Sequence, residues 1–173
     1  MGRLILVSGA NSSGKSALAE QLTVRAGERR YYLATMIPET DENRRRIEKH
    51  VRRRAGLNFR TIECPYRVSD SGIPAGASVL LEDVSNLLSN VMFEKDGDRK
   101  SVLSDICTLR EQCGTLVAVT ISGLKSDSYE GGTAAYIAAL NTLNEELSRL
   151  ADVDIRMEAG KPIFRKGAPD YAD

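Results

Sequence analysis

A glycine-rich octapeptide near the start of the chain leaves few folds open to it. Residues 9–16 read GANSSGKS and match the pattern G-x-x-x-x-G-K-[ST] at every fixed position. The octapeptide follows the apolar run Leu4–Val7 and precedes a helical pattern over Ser16–Arg25. Average residue frequencies give such a match by chance in about 1% of chains of this length. A strand, this loop and a helix in that order predict an α/β protein that binds nucleotide phosphates.

Each part of the octapeptide has a physical role in holding a triphosphate. The glycines let backbone amides curl around phosphate oxygens, and the N-terminus of the following helix adds a fixed positive potential. Lys15 reaches the β- and γ-phosphates, where it neutralises charge during transfer, and the Ser16 hydroxyl is a ligand for Mg²⁺. We therefore expect eight nucleotide-binding residues here: Gly9, Ala10, Asn11, Ser12, Ser13, Gly14, Lys15 and Ser16.

The composition indicates one soluble domain over residues 1–173. Equal numbers of basic and acidic residues, 24 each, give zero formal net charge and argue against bulk nucleic-acid binding. No stretch approaches the roughly 20 apolar residues that a membrane span needs. The three cysteines are odd in number and lack metal-ligand spacing, which favours reduced thiols and a cytoplasmic location.

Apolar runs alternate with helical patterns along the chain, which predicts a mostly parallel central sheet flanked by helices. Val153–Met157 and Pro162–Phe164 read as a C-terminal hairpin, and residues after Lys166 as a frayed tail. The other predicted strands are Leu4–Val7, Tyr31–Ala34, Phe59–Ile62, Val79–Leu81 and Leu116–Ile121. The helical patterns cover Ser16–Arg25, Asp41–Arg54 with Ile47 and Val51 as its buried stripe, the segments around Leu87–Met92 and Val102–Leu109, and Thr133–Leu150.

Two carboxylates follow the fourth predicted strand. A phosphate-binding loop usually works with an acidic residue at the end of a neighbouring strand, which positions Mg²⁺ or its waters. Glu82 comes directly after the apolar run and is the candidate for this metal or catalytic role. Asp83 is placed to cap the next helix.

The only histidine, His50, lies in a strongly basic helix. The segment 41–60 holds eight Arg or Lys residues against three Asp or Glu. Arg46, His50 and Arg54 recur at spacings of four and therefore share one helical face, with Arg53 beside them. Neighbouring guanidinium groups favour neutral imidazole, the form that can attack phosphorus, and the same arginines could hold a triphosphate. A solvated histidine on a charged helix, or a helix that contacts RNA, is the alternative on composition alone.

These residues together resemble the adenosylcobinamide kinase / adenosylcobinamide-phosphate guanylyltransferase family of cobalamin biosynthesis, the CobU family. The order and spacing agree from the start of the chain to about Asn90, and the late alanine-rich helix with Asn144 also resembles the family. The segments that carry the resemblance are Ile5–Ser16, Tyr32–Thr35, Arg46–His50, Arg53–Arg54, Thr61–Glu63, Leu80–Glu82 and Leu87–Asn90.

The resemblance implies a RecA-like P-loop NTPase fold and two reactions. One phosphorylates adenosylcobinamide, a corrinoid, from ATP or GTP, and the other transfers GMP from GTP to the product through a GMP–histidine intermediate. It also implies a homo-oligomer, such as a trimer. His50 is the implied nucleophile. The residues implied around the nucleotide are Ala34, Thr35, Arg53, Arg54, Glu63 and Glu82.

The sequence departs from the family pattern on the acceptor side. The family's N-E-V-G-x-G segment after the late strand is absent, and residues 120–124 read TISGL instead. Ala55 stands where proline is usual, and Met36 where serine is usual. Two other hypotheses therefore stay open: a divergent P-loop kinase or nucleotidyltransferase with another small-molecule acceptor, and a nucleotide-binding regulatory module without turnover.

Overall fold

Strands and helices alternate along the computed structural model, which describes residues 1–169. The strands are β1 (Arg3–Gly9), β2 (Arg30–Ala34), β3 (Phe59–Glu63), β4 (Ser78–Glu82), β5 (Thr115–Ile121), β6 (Val153–Glu158) and β7 (Lys161–Lys166). The helices are α1 (Lys15–Ala26), α2 (Asp41–Arg54), α3 (Val84–Glu94), α4 (Arg99–Gln112) and α5 (Gly131–Leu150), with short 3₁₀ turns at Val68–Ser71 and Ser126–Ser128.

The strands form one sheet in the order β3-β2-β4-β5-β1-β6-β7. All neighbours are parallel except β6 and β7, which pair antiparallel as a hairpin. The registers align Val7 of β1 with Val119 of β5 on one side and with Ile155 of β6 on the other. The predicted α/β class, with a mostly parallel sheet and a C-terminal hairpin, is confirmed, and the architecture is that of P-loop NTPases.

Alternate residues of each central strand face two separate apolar layers, because successive side chains of a strand point to opposite faces. Leu4 and Leu6 of β1 pack in the layer that holds residues of α3, α4 and α5. Ile5 and Val7 pack in the other layer, against Ala19 and Leu22 of α1. The helices are therefore divided between the two faces of the sheet.

Since the central strands are parallel, their carboxyl ends lie at one edge of the sheet. Glu82 at the end of β4 aligns with Ala34 at the end of β2 and with Val119 of β5. The loop of residues 9–16, called here the phosphate loop, leaves the end of β1 two strands away. Open α/β sheets bind ligands at this edge, and the predicted site residues converge there.

The predicted buried stripe of α2 is wrong. Ile47 is only half-buried and Val51 is 52% exposed, while Arg54 is the helix residue that is buried. Ile47 and Val51 instead line a cavity at the carboxyl edge of the sheet. Helix α2 therefore presents its apolar residues to that cavity and not to the core, so its weak apolar pattern does not mark core contacts.

The residues after β7 are partly ordered against the body of the protein. A guanidinium N–H of Arg3 donates to the carbonyl of Ala168 at 3.0 Å, and Pro169 is buried. The predicted frayed tail is therefore wrong for residues 167–169, since a side chain of β1 holds them. Its remaining part, residues 170–173, lies outside the described residues.

Cys64, Cys107 and Cys113 are free thiols, and the first and last of them are buried. Within residues 1–169, every helix is too short or too polar to cross a membrane.

Candidate active site

A cavity of about 360 Å³ opens at the carboxyl edge of the sheet, between the phosphate loop and α2. It brings together most of the residues that the sequence singled out: Asn11, Ser12, Ser13, Gly14, Lys15, Ser16, Ala34, His50, Arg53, Arg54, Glu63 and Glu82. Gly9, Ala10 and Thr35 are close in sequence to the lining but do not form it.

The glycines of the phosphate loop are required by its geometry. A Cβ on Gly9 would lie 2.5 Å from Oγ of Ser13 and 3.1 Å from the carbonyl oxygen of Met157. Gly14, the residue before α1, has φ +88°, a conformation that other residues rarely adopt. A side chain at position 9 would therefore crowd Ser13 and Met157, and one at position 14 would strain the backbone.

Lys15 is buried although it carries a charge, with 7% of its surface exposed. Its Nζ donates to the carbonyl oxygen of Ala10 at 3.0 Å, which folds the side chain back over the loop. Burial lowers the pKa of Lys15, and the nearby carboxylates of Asp83 and Glu82 oppose that shift. An anion in the loop would supply the negative charge that this buried ammonium otherwise lacks at close range.

Glu82 joins three elements at the centre of the site. Its Oε1 accepts a hydrogen bond from the Ser16 hydroxyl of α1, and its Oε2 accepts one from the Tyr32 hydroxyl of β2 at 3.0 Å. Oε1 also lies 3.5 Å from Nδ1 of His50 on α2. The carboxylate is 7% exposed, so its orientation is fixed by these contacts.

Asp83 caps α3, as the sequence predicted. Its carboxylate accepts the backbone N–H of Asn86 at 2.7 Å. Burial raises the pKa of Asp83 to about 6, with the Asn86 hydrogen bond acting against that shift.

Thr35 holds the backbone of Asp83 in place, because its hydroxyl donates to the Asp83 carbonyl and accepts the Asp83 backbone N–H. Thr35 is fully buried, and its assignment to the nucleotide stays a prediction.

His50 lies on the cavity wall with its Nδ1 turned toward charged neighbours. Nη2 of Arg53 is 2.9 Å from Nδ1, opposite the Glu82 carboxylate. Burial lowers the pKa of His50, Glu82 raises it, and Arg53, Arg54 and Lys49 lower it further. The sequence predicted this direction from the arginines alone, whereas burial is the larger cause. The neutral imidazole is thus the favoured form in this cavity.

Glu20 is a charged residue of the site that sequence reasoning missed. It lies on α1, is 3% exposed, and both of its carboxylate oxygens accept from Nε of Arg53, at 2.9 and 2.8 Å. Burial raises the pKa of Glu20, and Arg53 opposes that shift. The available signal was its spacing, since Glu20 is four residues after Ser16 and shares that face of α1.

Arg54 and Tyr32 form a buried pair at the floor of the cavity. The guanidinium carbon of Arg54 lies 3.3 Å from the centroid of the Tyr32 ring, and Arg54 is 7% exposed. Within residues 1–169, Nη1 of Arg54 is buried without a hydrogen-bond partner. The lining residues that the sequence did not single out for the nucleotide are Ala17, Tyr32, Met36, Ile47, Lys49, Val51, Thr61, Asp83, Asn86 and Ile121.

The oxygen atoms of Ser16 and Glu82 fit Mg²⁺. A hydroxyl and a carboxylate are hard ligands, and these two already touch across the mouth of the phosphate loop. Glu20, His50 and Glu82 also offer ligand atoms within 4.8 Å of one another. However, the Arg53 guanidinium contacts both Glu20 and His50, so the charge of that trio is balanced by an ion pair.

The segment that replaces the family's N-E-V-G-x-G borders the phosphate loop. Ile121 lines the cavity, and the backbone N–H of Ser122 donates to the Gly9 carbonyl at 3.1 Å. The Thr120 hydroxyl donates to Oδ1 of Asn144 at 2.7 Å, which ties the end of β5 to α5. The altered sequence therefore forms part of the cavity wall beside the nucleotide loop.

The fold and this cavity define an α/β protein of P-loop NTPase architecture, with charged residues from four elements around one loop. Residues 5–164 match the family described as cobinamide kinase / cobinamide phosphate guanyltransferase, and the chain belongs to that family. It is accordingly a bifunctional kinase and guanyltransferase of cobalamin biosynthesis. It is similar to the bifunctional adenosylcobalamin biosynthesis protein CobP of Pseudomonas aeruginosa, with 28% identity over 173 residues, 95% of this chain and 98% of the relative.

Proposed function

We propose that the chain phosphorylates adenosylcobinamide with ATP or GTP and then transfers GMP from GTP to adenosylcobinamide phosphate through a GMP–histidine intermediate. The observation that carries the proposal is the placement of His50 in one cavity with the phosphate loop. If the β- and γ-phosphates of a nucleotide lie in that loop, the α-phosphate would lie next to them in the same cavity, whose wall includes the imidazole of His50 on α2.

The kinase half uses the loop and Glu82. Lys15 and the backbone amides of residues 9–16 hold the β- and γ-phosphates, and Lys15 neutralises the charge that develops as the γ-phosphoryl group leaves. Ser16 and Glu82 would hold Mg²⁺, which supplies further positive charge to the phosphate oxygens when it is bound. The other proposed nucleotide contacts are Ala34, Thr35, Arg53, Arg54 and Glu63.

The guanylyltransferase half uses His50 as the nucleophile. An imidazole nitrogen attacks the α-phosphorus of GTP, a nitrogen–phosphorus bond forms, the bond to the β-phosphate oxygen breaks, and pyrophosphate leaves. The ring loses one proton to solvent in this step. A phosphate oxygen of the acceptor then attacks the same phosphorus, the nitrogen–phosphorus bond breaks, and the ring regains a proton. The partly exposed Arg53 and the buried Arg54 are suited to the charge on the leaving pyrophosphate.

The remaining partners are proposed on weaker grounds. A corrinoid acceptor follows from the family, and nucleic acid is not expected because the chain has no net charge. A homo-oligomer, such as a trimer, is supported by the exposed apolar residues Ile163 and Phe164 on the edge strand β7. The proposed location is the cytoplasm, where three free thiols stay reduced.

Intact mass spectrometry tests the covalent step directly. The purified chain is incubated with GTP and Mg²⁺, beside a His50→Ala variant and an Arg52→Ala control on the exposed face of α2. The expected result is a mass gain of one GMP in the unaltered chain and the control, and none in His50→Ala. Absence of the adduct from the unaltered chain would overturn the GMP–histidine mechanism. A second measurement identifies the acceptor. A rate of pyrophosphate release that rises when adenosylcobinamide phosphate is added would establish it as the acceptor. A rate that rises only with other phosphorylated compounds would favour a divergent transferase.

A further inference from the structure

The surroundings of Arg46 set it apart from the other two arginines of α2 that line the cavity. Arg53 is held by the buried carboxylate of Glu20, and Arg54 is itself buried. Arg46 instead donates to the carboxylate of Glu42 at 2.8 Å, and these two side chains are 52% and 73% exposed. Exposed ion pairs of this kind contribute little to stability. Arg46 can therefore leave Glu42 at small cost when an anion enters the cavity.

The course of α2 places Arg46 above the phosphate loop. His50 lies level with the first turn of α1, since its Nδ1 is 3.5 Å from the Glu82 carboxylate that accepts from this turn. Arg53, further along α2, meets Glu20 in the second turn of α1. Arg46 lies in the other direction, on the face of His50 and about 6 Å before it along the axis. Its guanidinium therefore belongs to the open side of the phosphate loop.

The charge of Arg46 acts on both residues that border the place of a terminal phosphate. Burial is the main cause of the pKa shifts of Lys15 and Asp83, lowering the first and raising the second, and Arg46 lowers both pKa values. Lys15 reaches the β- and γ-phosphates in a loop of this type. Asp83 follows the end of β4, and it lines the same cavity as Arg46. A cation close to both residues is close to the γ-phosphate.

We propose that Arg46 is a catalytic residue of the kinase step: its guanidinium leaves Glu42 and donates to oxygens of the γ-phosphoryl group during transfer. The inference rests on the proposed phosphorylation of adenosylcobinamide and adds to it a residue supplied by α2. In the step, a hydroxyl oxygen of the acceptor bonds to the γ-phosphorus, and the bond from this phosphorus to the β–γ bridging oxygen breaks. The nucleoside diphosphate leaves, and the hydroxyl proton passes to solvent.

A guanidinium group suits this role because of its shape and its charge. Negative charge is spread over the oxygens of the transferring group, and catalysis consists mostly of positioning and of neutralising that charge. The planar N–H groups of arginine can donate two parallel hydrogen bonds to a phosphoryl group, whereas lysine acts as a point charge. Lys15 approaches the phosphates from the loop, and Arg46 approaches them from the wall that α2 forms.

Arg46→Ala and Arg46→Lys test the role in the kinase step. Formation of adenosylcobinamide phosphate from ATP gives kcat, and isothermal calorimetry gives the Kd for ATP. We expect kcat of Arg46→Ala to fall at least about 100-fold, while Kd changes less than about 10-fold, because the contact is strongest in the transition state. Arg46→Lys is expected to recover only part of kcat, since it keeps the charge without the paired donors.

The matched control is Arg45→Ala, an exposed arginine of the same helix that is not among the residues lining the cavity. Its kcat should equal that of the unaltered chain. Circular dichroism and Tm confirm that each variant is folded.

The GMP adduct separates a role at the γ-phosphoryl group from a general role in holding the triphosphate. During adduct formation the γ-phosphorus keeps all of its bonds, so a contact with this group acts on the ground state and the transition state alike. We expect the rate of adduct formation by Arg46→Ala at saturating GTP to stay within about 10-fold of the unaltered chain. An adduct in this variant also shows that it still binds nucleotide.

Four results would contradict the inference. An unchanged kcat for Arg46→Ala beside an active unaltered chain would overturn it alone, as would a rise in Kd that accounts for the whole loss. Equal losses in phosphorylation and in adduct formation would overturn the assignment to the γ-phosphoryl group. No phosphorylation of adenosylcobinamide by the unaltered chain would overturn the proposed function and the inference with it.

Discussion

The hydroxyl of Tyr32 donates a 3.0 Å hydrogen bond to Oε2 of Glu82, while the hydroxyl of Ser16 donates to Oε1 of the same carboxylate. Tyr32 and Glu82 lie on the neighbouring parallel strands β2 and β4, and Ser16 lies on α1. Each carboxylate oxygen of Glu82 therefore already accepts a hydrogen bond from another residue of the protein. The sheet itself thus orients the acid at the mouth of the phosphate loop.

Tyr32→Phe tests this orientation with the smallest possible change. The ring keeps its edge contact with Phe59 and its place under the Arg54 guanidinium, but Glu82 loses one donor. We expect a stability loss of about 1 kcal/mol and a several-fold lower kcat for triphosphate turnover, since a net hydrogen bond contributes about that much. Thermal unfolding and steady-state kinetics measure the two effects.

The matched control is Tyr31→Phe, on the opposite face of the same strand. The Tyr31 hydroxyl makes no hydrogen bond within residues 1–169, so its removal should leave kcat unchanged. Equal kcat in Tyr32→Phe and the unaltered chain would show that Glu82 is oriented without this bond.

Lys15→Ala removes the one buried ammonium of the phosphate loop. Nζ of Lys15 is held over the loop by the Ala10 carbonyl. We expect GTP binding by isothermal calorimetry to weaken at least about 100-fold, the scale of a lost charge-assisted contact of roughly 3 kcal/mol. Lys100→Ala, an exposed position on α4, is the control. A Lys15→Ala variant with normal GTP affinity would contradict the nucleotide assignment of the loop.

The sequence was sufficient for the strand order along the chain, the phosphate loop and the Asp83 cap, because these features are local. Each of them depends on residues within a few positions of one another: the loop on its glycines, a strand on its apolar run, and the cap on the residue before its helix. The bounds of α2, predicted as Asp41–Arg54, agree with the structure for the same reason.

What the sequence could not reveal depends on contacts between distant segments. Glu20 and Arg53 are 33 residues apart and meet only because α1 and α2 both border the carboxyl edge of the sheet. Ile47 and Val51 read as core residues, since spacing alone does not say whether an apolar pair faces a sheet or a cavity. Tyr32 was recognised only as part of the family segment Tyr32–Thr35, and the role of its hydroxyl became apparent only beside Glu82.

The buried thiol of Cys113 makes stability depend on pH in the alkaline range. Burial raises the pKa of Cys113 from 9.0 to about 11. The folded chain therefore keeps the proton longer than the unfolded chain does, and stability is lost as pH rises from 9 toward 11. Between pH 8 and 10.5, we expect the unaltered chain to lose about 2 kcal/mol more than Cys113→Ala, from denaturant unfolding. Parallel pH profiles for the two chains would contradict a raised pKa.

The edge strand β7 carries the proposed oligomer contact. Ile163 and Phe164 are 42% and 45% exposed, and among the strands of residues 1–169 β7 pairs only with β6. A charge on such an edge opposes pairing with a second chain. We expect Phe164→Glu to lower the mass measured by light scattering, while Lys161→Glu on the same exposed strand does not. An unchanged oligomeric mass for Phe164→Glu would place the contact elsewhere.

Arg54→Met should weaken nucleotide binding without destabilising the empty protein. Nη1 of Arg54 is buried with no hydrogen-bond partner within residues 1–169, and the guanidinium rests on the Tyr32 ring. A buried charge without a partner is costly, and replacing it with an apolar side chain of similar length is often neutral or stabilising by about 1–4 kcal/mol. We expect the phosphate of a bound nucleotide to supply the partner that this guanidinium lacks.

Thermal unfolding with and without GTP separates the two effects. For Arg54→Met we expect a Tm without ligand that is equal to or above that of the unaltered chain, and a smaller rise in Tm on adding GTP. Arg52→Met, whose side chain is 81% exposed, should leave both values unchanged. A lower Tm without ligand would mean that the contact with Tyr32 outweighs the cost of burying the charge, and Arg54 would then be a structural residue of the β2–α2 contact. An unchanged response to GTP would remove Arg54 from the nucleotide site.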